Sequence, residues 1–292
     1  MTALWHGEKE PHVFRPGIKG TLRAIMRGVP LAVLVFGGLL ILILVRLIER
    51  PICGHDRPVT PYLTQFVCRS AFAILGIPFK ARGQQMREKG AVVANHGSWL
   101  DIFSLNAKKR VYFVSKAEVA NWPGIGWLAK ATGTVFIKRD RKEAASQIEI
   151  FRERLSLGHK LLFFPEGTSS DARRVLPFKS TLFAAFFAPE LREFMWVQPV
   201  TVRYFAPEGE DPRFYGWWGD MEFAPHLLQT LAARRQGRVE VVYHDPVKVT
   251  DFASRKALAA HCETEIRAGL GELDIEKQTD GTDEELGTVH QF

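Results

Sequence analysis

An uncharged apolar run near the N-terminus constrains the fold of this chain more than any other feature of its sequence. Residues 29–45 read VPLAVLVFGGLLILILV and contain no charged side chain. As a helix, this run would rise about 26 Å, close to the thickness of about 30 Å for a bilayer core. Arg46 and Arg50 follow it, where a cleaved signal peptide would carry small residues. We therefore expect a retained membrane anchor rather than a signal peptide or a buried core helix.

A second apolar stretch follows at residues 61–79. It reads PYLTQFVCRSAFAILGIPF, and its apolar residues recur at helical spacing. Prolines and a glycine between residues 51 and 61 separate the two stretches. The pattern predicts a helical hairpin in an N-terminal membrane-anchoring segment, residues 1–79. Whether the hairpin crosses the bilayer or lies in one leaflet stays open. Basic residues flank the first stretch on both sides, so the positive-inside rule gives no clear orientation.

The overall composition narrows the range of partners. Of the 292 residues, 46% are hydrophobic and 24% are charged, which excludes a wholly disordered chain and a polytopic membrane protein. The net charge of +7 favours a polyanionic partner, such as nucleic acid, an anionic membrane surface or a phosphate-bearing substrate. The cysteines, Cys53, Cys68 and Cys262, do not have the spacing of a disulfide framework or a zinc site. We therefore expect a reducing compartment and no structural metal.

After residue 80, short apolar runs alternate with amphipathic stretches. Strand-like runs cover 91–95, 111–114, 134–137, 160–164, 195–202 and 239–244, and helix-like stretches cover 140–157 and 253–270. This alternation predicts an α/β domain over residues 80–273, with a mostly parallel sheet flanked by helices. Residues 274–292 are rich in Gly, Thr, Asp and Glu, and we expect an acidic, disordered tail there.

The segment NHGSWLD, residues 95–101, contains a candidate acid–base pair. His96 leaves the end of a predicted strand, and Asp101 falls near the start of the next helix. A histidine can accept a proton near neutral pH, and a carboxylate on its other ring nitrogen would fix its tautomer. Taken alone, the same pattern is also typical of an ordinary loop histidine and a helix-start aspartate.

Three further segments carry candidate binding residues. FPEGTSS, residues 164–170, follows a strand and presents Glu166, with Gly167 permitting a tight turn. GTVFIKRDR, residues 133–141, ends a strand in a basic cluster that can hold an anion. Lys116 precedes a Pro/Gly-containing helical stretch, in which Trp122 and Trp127 fit an interfacial position. Each segment is also compatible with an ordinary turn or a solvated loop.

The order of these segments resembles the glycerolipid acyltransferase family, whose best-known members are 1-acylglycerol-3-phosphate O-acyltransferases. The four blocks of that family correspond to NHGSWLD, to the segment ending at Arg139, to FPEGT and to VQPV at 197–200. The similarity covers roughly residues 80–250 and includes an N-terminal helical hairpin of the same kind. It implies transfer of a fatty acyl group from acyl-CoA or acyl-carrier protein to the hydroxyl of a lyso-lipid.

The resemblance also implies roles for individual residues. His96 would be the general base and Asp101 its orienting partner, while Glu166 would either hold the acceptor hydroxyls or brace its loop. Substrate binding is expected from Arg139, Glu166, Gly167, Thr168 and Lys116. The sequence has no G-x-S-x-G elbow, so the alcohol would attack the thioester directly, without a cofactor or metal. Backbone N–H groups near Gly97 and Gly167 are candidate donors to the oxyanion.

The acceptor is the point at which the sequence departs from the family pattern. Many members that acylate lysophosphatidate carry Arg directly after the Gly-Thr of the third block, where this chain has Ser169. Arg173, Arg174 or Lys179 could replace that phosphate donor. We expect 1-acylglycerol-3-phosphate as the acceptor, to give phosphatidic acid. The alternative is lyso-ornithine lipid or a related lyso-aminolipid, whose cationic headgroup could face Asp171.

A second class of function, binding of nucleic acid or anionic lipid without turnover, is also compatible with the positive charge. The sequence has no zinc finger, no RNP-like motif and no basic stripe interleaved with aromatic residues, so we expect no nucleic-acid partner. The family resemblance implies a membrane location of the bacterial inner-membrane type, with the active site at the cytoplasmic face. It leaves acyl-CoA and acyl-carrier protein as alternative donors.

Overall fold

The computed structural model describes residues 4–7, 16–137 and 144–271. Arg139, the predicted anion contact, and the acidic tail predicted at 274–292 lie outside the described residues. The helices are α1 Ile18–Cys53, α2 Thr60–Leu75, α3 Asp101–Lys108, α4 Ile125–Thr132, α5 Ala144–Ser156, α6 Pro189–Arg192, α7 Phe223–Ala232 and α8 Arg255–Leu270. The strands are β1 Phe79–Arg82, β2 Gly90–Ala94, β3 Tyr112–Lys116, β4 Val135–Ile137, β5 Lys160–Phe163, β6 Trp196–Phe205, β7 Arg238–Tyr243 and β8 Val247–Lys248.

Within the described ranges, the strands form one sheet in the order β1-β7-β6-β2-β5-β3-β4, with β8 beside β6. Strand β6 is antiparallel to β7 and β8, and the other neighbouring pairs are parallel. Central strand β2 reads GAVVA and is buried throughout, as expected for a parallel strand covered on both faces. The prediction of a mostly parallel α/β sheet is therefore confirmed.

Helices cover both faces of this sheet. Val92 and Ala94 of β2 point into a cluster formed with α1, α2, α3 and α7, whereas Ala91 and Val93 point into a second cluster formed with α5 and α8. Because side chains alternate along a strand, one strand supplies both cores. The hairpin shares the first core with the sheet, and the division into segments 1–79, 80–273 and 274–292 stays a prediction.

The predicted N-terminal hairpin is present as helices α1 and α2. Glu49 of α1 holds the start of α2, where its carboxylate accepts hydrogen bonds from the Val59 backbone N–H at 2.8 Å and the Thr60 hydroxyl at 2.8 Å. The first N–H groups of a helix have no partner within the helix, so this carboxylate from a neighbouring helix serves as the cap. Arg46 pairs with the same carboxylate at 2.8 Å.

Helix α1 has one side packed on the protein along its whole length and an opposite side that is apolar and exposed. The packed residues are Gly20, Ala24, Leu31, Gly38, Leu42 and Glu49. Toward the N-terminus, Arg23 and Arg27 donate to backbone carbonyls at the end of α7. Toward the C-terminus, α1 packs on α2, where a Cβ on Gly38 would come within 2.7 Å of Val67. By length and composition, α1 is long and apolar enough to cross a membrane.

Candidate active site

The pair predicted from NHGSWLD is assembled at the carboxyl end of β2. The Nδ1 atom of His96 lies 2.7 Å from Oδ2 of Asp101. Asp101 is the first residue of α3, so the intervening turn folds the carboxylate back under the imidazole. The same Oδ2 accepts hydrogen bonds from the backbone N–H groups of Gly97 at 3.0 Å and Ser98 at 3.1 Å. These contacts fix both the turn and the orientation of the imidazole.

Tyr204 completes the set of donors around Asp101, and the sequence reasoning missed it. Its hydroxyl donates to Oδ1 of Asp101 at 2.7 Å and lies 3.1 Å from the hydroxyl of Ser104. Burial, together with the charge of Asp101, raises the pKa of Tyr204 well above its ordinary value, so the phenol keeps its proton. Tyr204 lies on β6, four positions beyond the fourth family block. This position on the same strand was the signal in the sequence that could have indicated its place near the site.

The imidazole of His96 has one nitrogen engaged and one available. Asp101 and His96 are 0% and 22% exposed in their side chains, and the ring of Phe164 stacks on the imidazole at 4.2 Å. Because the carboxylate can only accept, Nδ1 carries the proton and Nε2 keeps its lone pair. No hydrogen bond from the described residues engages Nε2. The arrangement is that of a general base with its outer nitrogen presented to solvent.

Glu166 braces the histidine loop, and its predicted contact with the acceptor stays a prediction. One carboxyl oxygen accepts from the backbone N–H of His96 at 2.7 Å, and the other accepts from the backbone N–H of Leu176 at 2.8 Å. Burial raises the pKa of Glu166 well above its ordinary value, the two N–H donors oppose this, and the charge of Asp101 adds to it. Of the two roles weighed from the sequence, the geometry favours the structural one.

The segment that follows Glu166 closes over the same turn. The backbone N–H of Ser170 donates to the carbonyl of His96 at 2.8 Å. Ala172 adopts a left-handed backbone with φ of 62°, and a Cβ on Gly97 would come within 2.7 Å of it. The close approach of these two loops therefore requires glycine at position 97. Beside it, buried Asp171 pairs with Arg174 at 3.0 Å.

The two N–H groups predicted as oxyanion donors are already engaged. The N–H of Gly97 donates to Asp101, and the N–H of Gly167 donates to the carbonyl of Phe164 at 3.1 Å within its turn. Gly167 has a φ of 74°, which matches the predicted tight turn. Other backbone N–H groups near these two glycines stay candidate donors to the oxyanion.

The remaining predicted binding residues lie at the same edge of the sheet. Lys116 ends β3, the neighbour of β5, and Thr168 follows Glu166 in the loop after β5; both are partly buried. Strand β4 ends at Ile137 beside β3, two positions before Arg139. Among the described residues, no group of His, Cys, Asp and Glu is arranged to hold a metal ion. The absence of a cofactor stays a prediction.

Comparisons with known proteins agree with this geometry. A sequence model of the family described as Acyltransferase matches residues 79–203. The lyso-ornithine lipid O-acyltransferase of Rhodobacter capsulatus is 56% identical over 269 residues, which cover 92% of this chain and 98% of that protein. The chain belongs to the acyltransferase family. It is an acyltransferase of lyso-lipids, and its apolar N-terminal helix and substrate class indicate association with a membrane.

Two further relatives place this acyltransferase more broadly. The 1-acyl-sn-glycerol-3-phosphate acyltransferase of Neisseria gonorrhoeae is 36% identical over 178 residues, or 61% of this chain and 68% of that protein. The crystal structure of the 1-acyl-sn-glycerophosphate acyltransferase PlsC from Thermotoga maritima superposes with a TM-score of 0.61 at 22% identity. That comparison covers 88% of this chain and 97% of the other. The fold is therefore shared.

Proposed function

We propose that this acyltransferase moves a fatty acyl group from an acyl thioester to the hydroxyl of lyso-ornithine lipid. The observation that carries the proposal is the similarity to the Rhodobacter capsulatus lyso-ornithine lipid O-acyltransferase, which spans 98% of that relative. The similarity covers 92% of this chain, so it extends well beyond the segment that contains His96 and Asp101. The donor is either acyl-CoA or acyl-carrier protein.

The third block supports this acceptor over lysophosphatidate. Position 169 is serine, so the loop lacks a guanidinium that could bind a phosphate in a bidentate manner. Arg174 was expected to replace this missing phosphate donor. Buried Asp171 pairs with it at 3.0 Å and neutralises its charge, which argues against that role. The same contact argues against Asp171 as the partner of a cationic headgroup, because the carboxylate is enclosed and already paired.

Lysophosphatidate, the acceptor expected from the sequence, is the second candidate. It is supported by the Neisseria gonorrhoeae relative, although that similarity covers a smaller share of both chains. Arg173 is exposed in the loop after Glu166, and it keeps a phosphate contact feasible. Arg139, which the family resemblance implies as a phosphate contact, lies outside the described residues.

The proposed mechanism uses His96 as the base. Its Nε2 takes the proton from the lyso-lipid hydroxyl as the oxygen attacks the thioester carbonyl, and Asp101 stabilises the imidazolium that forms. The tetrahedral intermediate then collapses, the carbon–sulfur bond breaks, and the imidazolium returns the proton to the thiolate. No covalent enzyme intermediate is needed, because the products are an ester and a free thiol. Each turnover restores neutral His96.

We further propose that the hairpin lies in one leaflet, with the active site at the cytoplasmic face. A helix of 36 residues would extend about 54 Å, far more than a bilayer core needs. The inner side of α1 is packed on the protein from Gly20 to Glu49, so no part of the helix leaves the body to cross a membrane alone. Its outer side exposes large apolar residues from Ile18 to Ile52, which suits burial along the membrane surface.

The decisive experiment offers the two acceptors side by side. Purified enzyme is given lyso-ornithine lipid or lysophosphatidate, each with acyl-CoA and with acyl-carrier protein, and release of free thiol is followed. We expect kcat/KM to favour lyso-ornithine lipid by at least about tenfold, or about 1.4 kcal/mol in transition-state binding. The variant His96→Ala serves as the blank. A preference of the same size for lysophosphatidate would refute the proposed acceptor.

A further inference from the structure

A second concave site lies at the edge of the sheet opposite to His96. It is a groove of about 890 Å³ between the α1–α2 connection, the β1–β2 loop, the turn before β3 and the turn before β5. Tyr112 and Lys160, the first residues of β3 and β5, line it, whereas His96 lies two residues beyond the end of β2. At least the length of the five-residue strand β2, about 16 Å, therefore separates the two sites. We call this site the basic groove.

The side chains that line the basic groove are strongly and unequally charged. One acidic residue, Asp56, lines it, and the cationic residues that line it are Arg57, Arg87, Lys108, Lys109, Arg110 and Lys160. Glu88 lies next to this lining and accepts a hydrogen bond from the backbone N–H of Arg87 at 3.0 Å. The positive charge still exceeds the negative charge, which is the condition for attracting an anion.

The inner cations of the groove are held by neutral main-chain oxygens. The ammonium of Lys109 donates to the carbonyl of Met86 at 2.7 Å, and the Arg57 guanidinium donates to a carbonyl in α4 at 2.7 Å. Burial, aided by the charge of Lys160 and opposed by that of Glu88, lowers the pKa of Lys109 to about 7. An anion in the groove would compensate this concentrated positive charge.

His159 adds a buried donor that no described residue satisfies. The imidazole is 5% exposed, and its Nδ1 accepts a hydrogen bond from Arg154 at 2.7 Å, so Nε2 carries the proton. Nε2 has no hydrogen-bond partner among the described residues and lies 4.0 Å from Asp56. Burial and the charges of Arg154 and Arg57 lower the pKa of His159 to about 3. A neutral N–H donor that lines a cationic groove suits a phosphate oxygen.

The groove opens beside the exposed apolar surface of the hairpin. Tyr62 of α2 lines the groove and is 55% exposed, and its neighbours Val59 and Phe66 are exposed as well. The guanidinium of Arg110 lies 4.3 Å from the centre of the Tyr62 ring. Tyrosine and arginine at the border of an apolar surface are typical of the headgroup layer. The cations of the groove are thus placed where lipid phosphates lie.

We propose that the basic groove binds the phosphate headgroup of an anionic phospholipid in the membrane on which the hairpin rests. The enzyme would then hold one lipid at this edge of the sheet and acylate another at the opposite edge. The inference depends on contact between hairpin and membrane, and it does not depend on which acceptor is acylated. Lipid binding in the groove can therefore be refuted while the proposed acceptor is confirmed, and the acceptor can be refuted while lipid binding is confirmed.

The first test measures protection of a lysine in the groove. The full-length enzyme is bound to vesicles of phosphatidylcholine, or of phosphatidylcholine mixed equally with phosphatidylglycerol, and its lysines are acetylated and quantified by mass spectrometry. Lys108 is exposed in the groove, and Lys256 is exposed on α8 behind the sheet. We expect phosphatidylglycerol to slow labelling of Lys108 at least about fivefold and to leave Lys256 within about twofold. Equal labelling of Lys108 on both vesicles would overturn the proposal, as would equal protection by inorganic phosphate alone.

The second test compares two triple variants with the same loss of charge. One variant, R87A/K108A/R110A, removes exposed cations of the groove, and its matched control, K80A/R255A/K256A, removes exposed cations elsewhere. We expect the groove variant to bind phosphatidylglycerol vesicles at least about tenfold more weakly and the control to stay within about twofold. Turnover in detergent micelles should be unchanged in both. Equally weakened vesicle binding in the two variants would show a general charge effect and refute a specific groove. If the groove variant does not fold, the lysine labelling of the wild-type enzyme decides between these outcomes.

Discussion

Replacement of Tyr204 by phenylalanine tests the arrangement around Asp101 most directly. The wild-type hydroxyl donates to Oδ1 of Asp101 at 2.7 Å, in a place where both side chains are buried. Oδ2 keeps its contacts to His96, Gly97 and Ser98, so the substitution removes the donor on one oxygen and leaves the orientation of the carboxylate intact. The substitution also removes the contact of the Tyr204 hydroxyl with the hydroxyl of Ser104 at 3.1 Å.

The size of the effect follows from that contact. A hydrogen bond to a charged group contributes about 1.5–3 kcal/mol, and its loss leaves a buried carboxylate oxygen without a partner. We expect the free energy of unfolding of Tyr204→Phe to fall by that amount. The carboxylate, with less of its charge compensated, will attract the imidazolium form of the histidine more strongly. Because His96 becomes an imidazolium in the proposed proton transfer, we expect kcat/KM at a fixed pH to change by up to about tenfold.

The assay measures kcat/KM of thiol release at a fixed pH together with thermal unfolding. Tyr215→Phe is the matched control, because Tyr215 is also a buried tyrosine, and its hydroxyl bonds to Gln236 at 2.8 Å instead of to Asp101. Both variants should lose stability, and only Tyr204→Phe should change kcat/KM by more than about twofold. Its kcat should stay within about tenfold of the wild type, since the histidine keeps its orientation. The same kcat/KM for the two variants would refute the role given to Tyr204.

The other predictions concern single residues of the two sites. His96→Ala should lower kcat by about 10²–10⁴ while the protein still folds, and near-native turnover would exclude the proposed base. Glu166→Gln should lower the free energy of unfolding by about 1–3 kcal/mol, because the amide NH₂ would face a backbone N–H that now donates to a carboxyl oxygen. Thermal unfolding that matches the wild type would contradict the bracing role. Ser169→Arg should raise kcat/KM for lysophosphatidate several-fold relative to lyso-ornithine lipid, and an unchanged ratio would show that the headgroup does not reach this position. The pKa of Lys109 is lowered to about 7 from 10.5, so between these pH values the unfolded chain binds more protons than the folded protein, and stability should rise with pH. Denaturant titrations of Lys109→Met should show a smaller rise in stability. A rise equal to that of the wild type would mean that another group causes it.

The parts of the site that lie close together in the sequence could be predicted from it. His96 and Asp101 are five residues apart, and a strand end followed by a helix start leaves few ways to arrange them. The sheet and the hairpin were predictable for a similar reason, because the periodicity of apolar residues reports directly on which faces are buried. These features depend on local chain geometry and on the pattern of apolar and polar residues.

Contacts between distant parts of the chain could not be predicted. Tyr204 reaches Asp101 across 103 positions, and Glu166 reaches the backbone of His96 across 70. A glutamate at a strand end can point to solvent or into the protein interior. Which of the two occurs depends on the N–H groups that the folded chain brings close to it. The basic groove was hidden for the same reason, because its lining comes from separate segments between residues 56 and 160.

The two ends of the loop after β5 are fastened independently of what lies between them. Glu166 holds the entrance of that loop to the histidine turn through one oxygen, and it holds Leu176, near the exit, through the other. Thr168 and Ser169, which precede the contact of Ser170 with the carbonyl of His96, can consequently change with little effect on the proton-transfer machinery. This separation offers a route by which descendants of one ancestral enzyme could exchange one headgroup for another through substitutions in a single short segment, while the reaction itself was inherited unaltered.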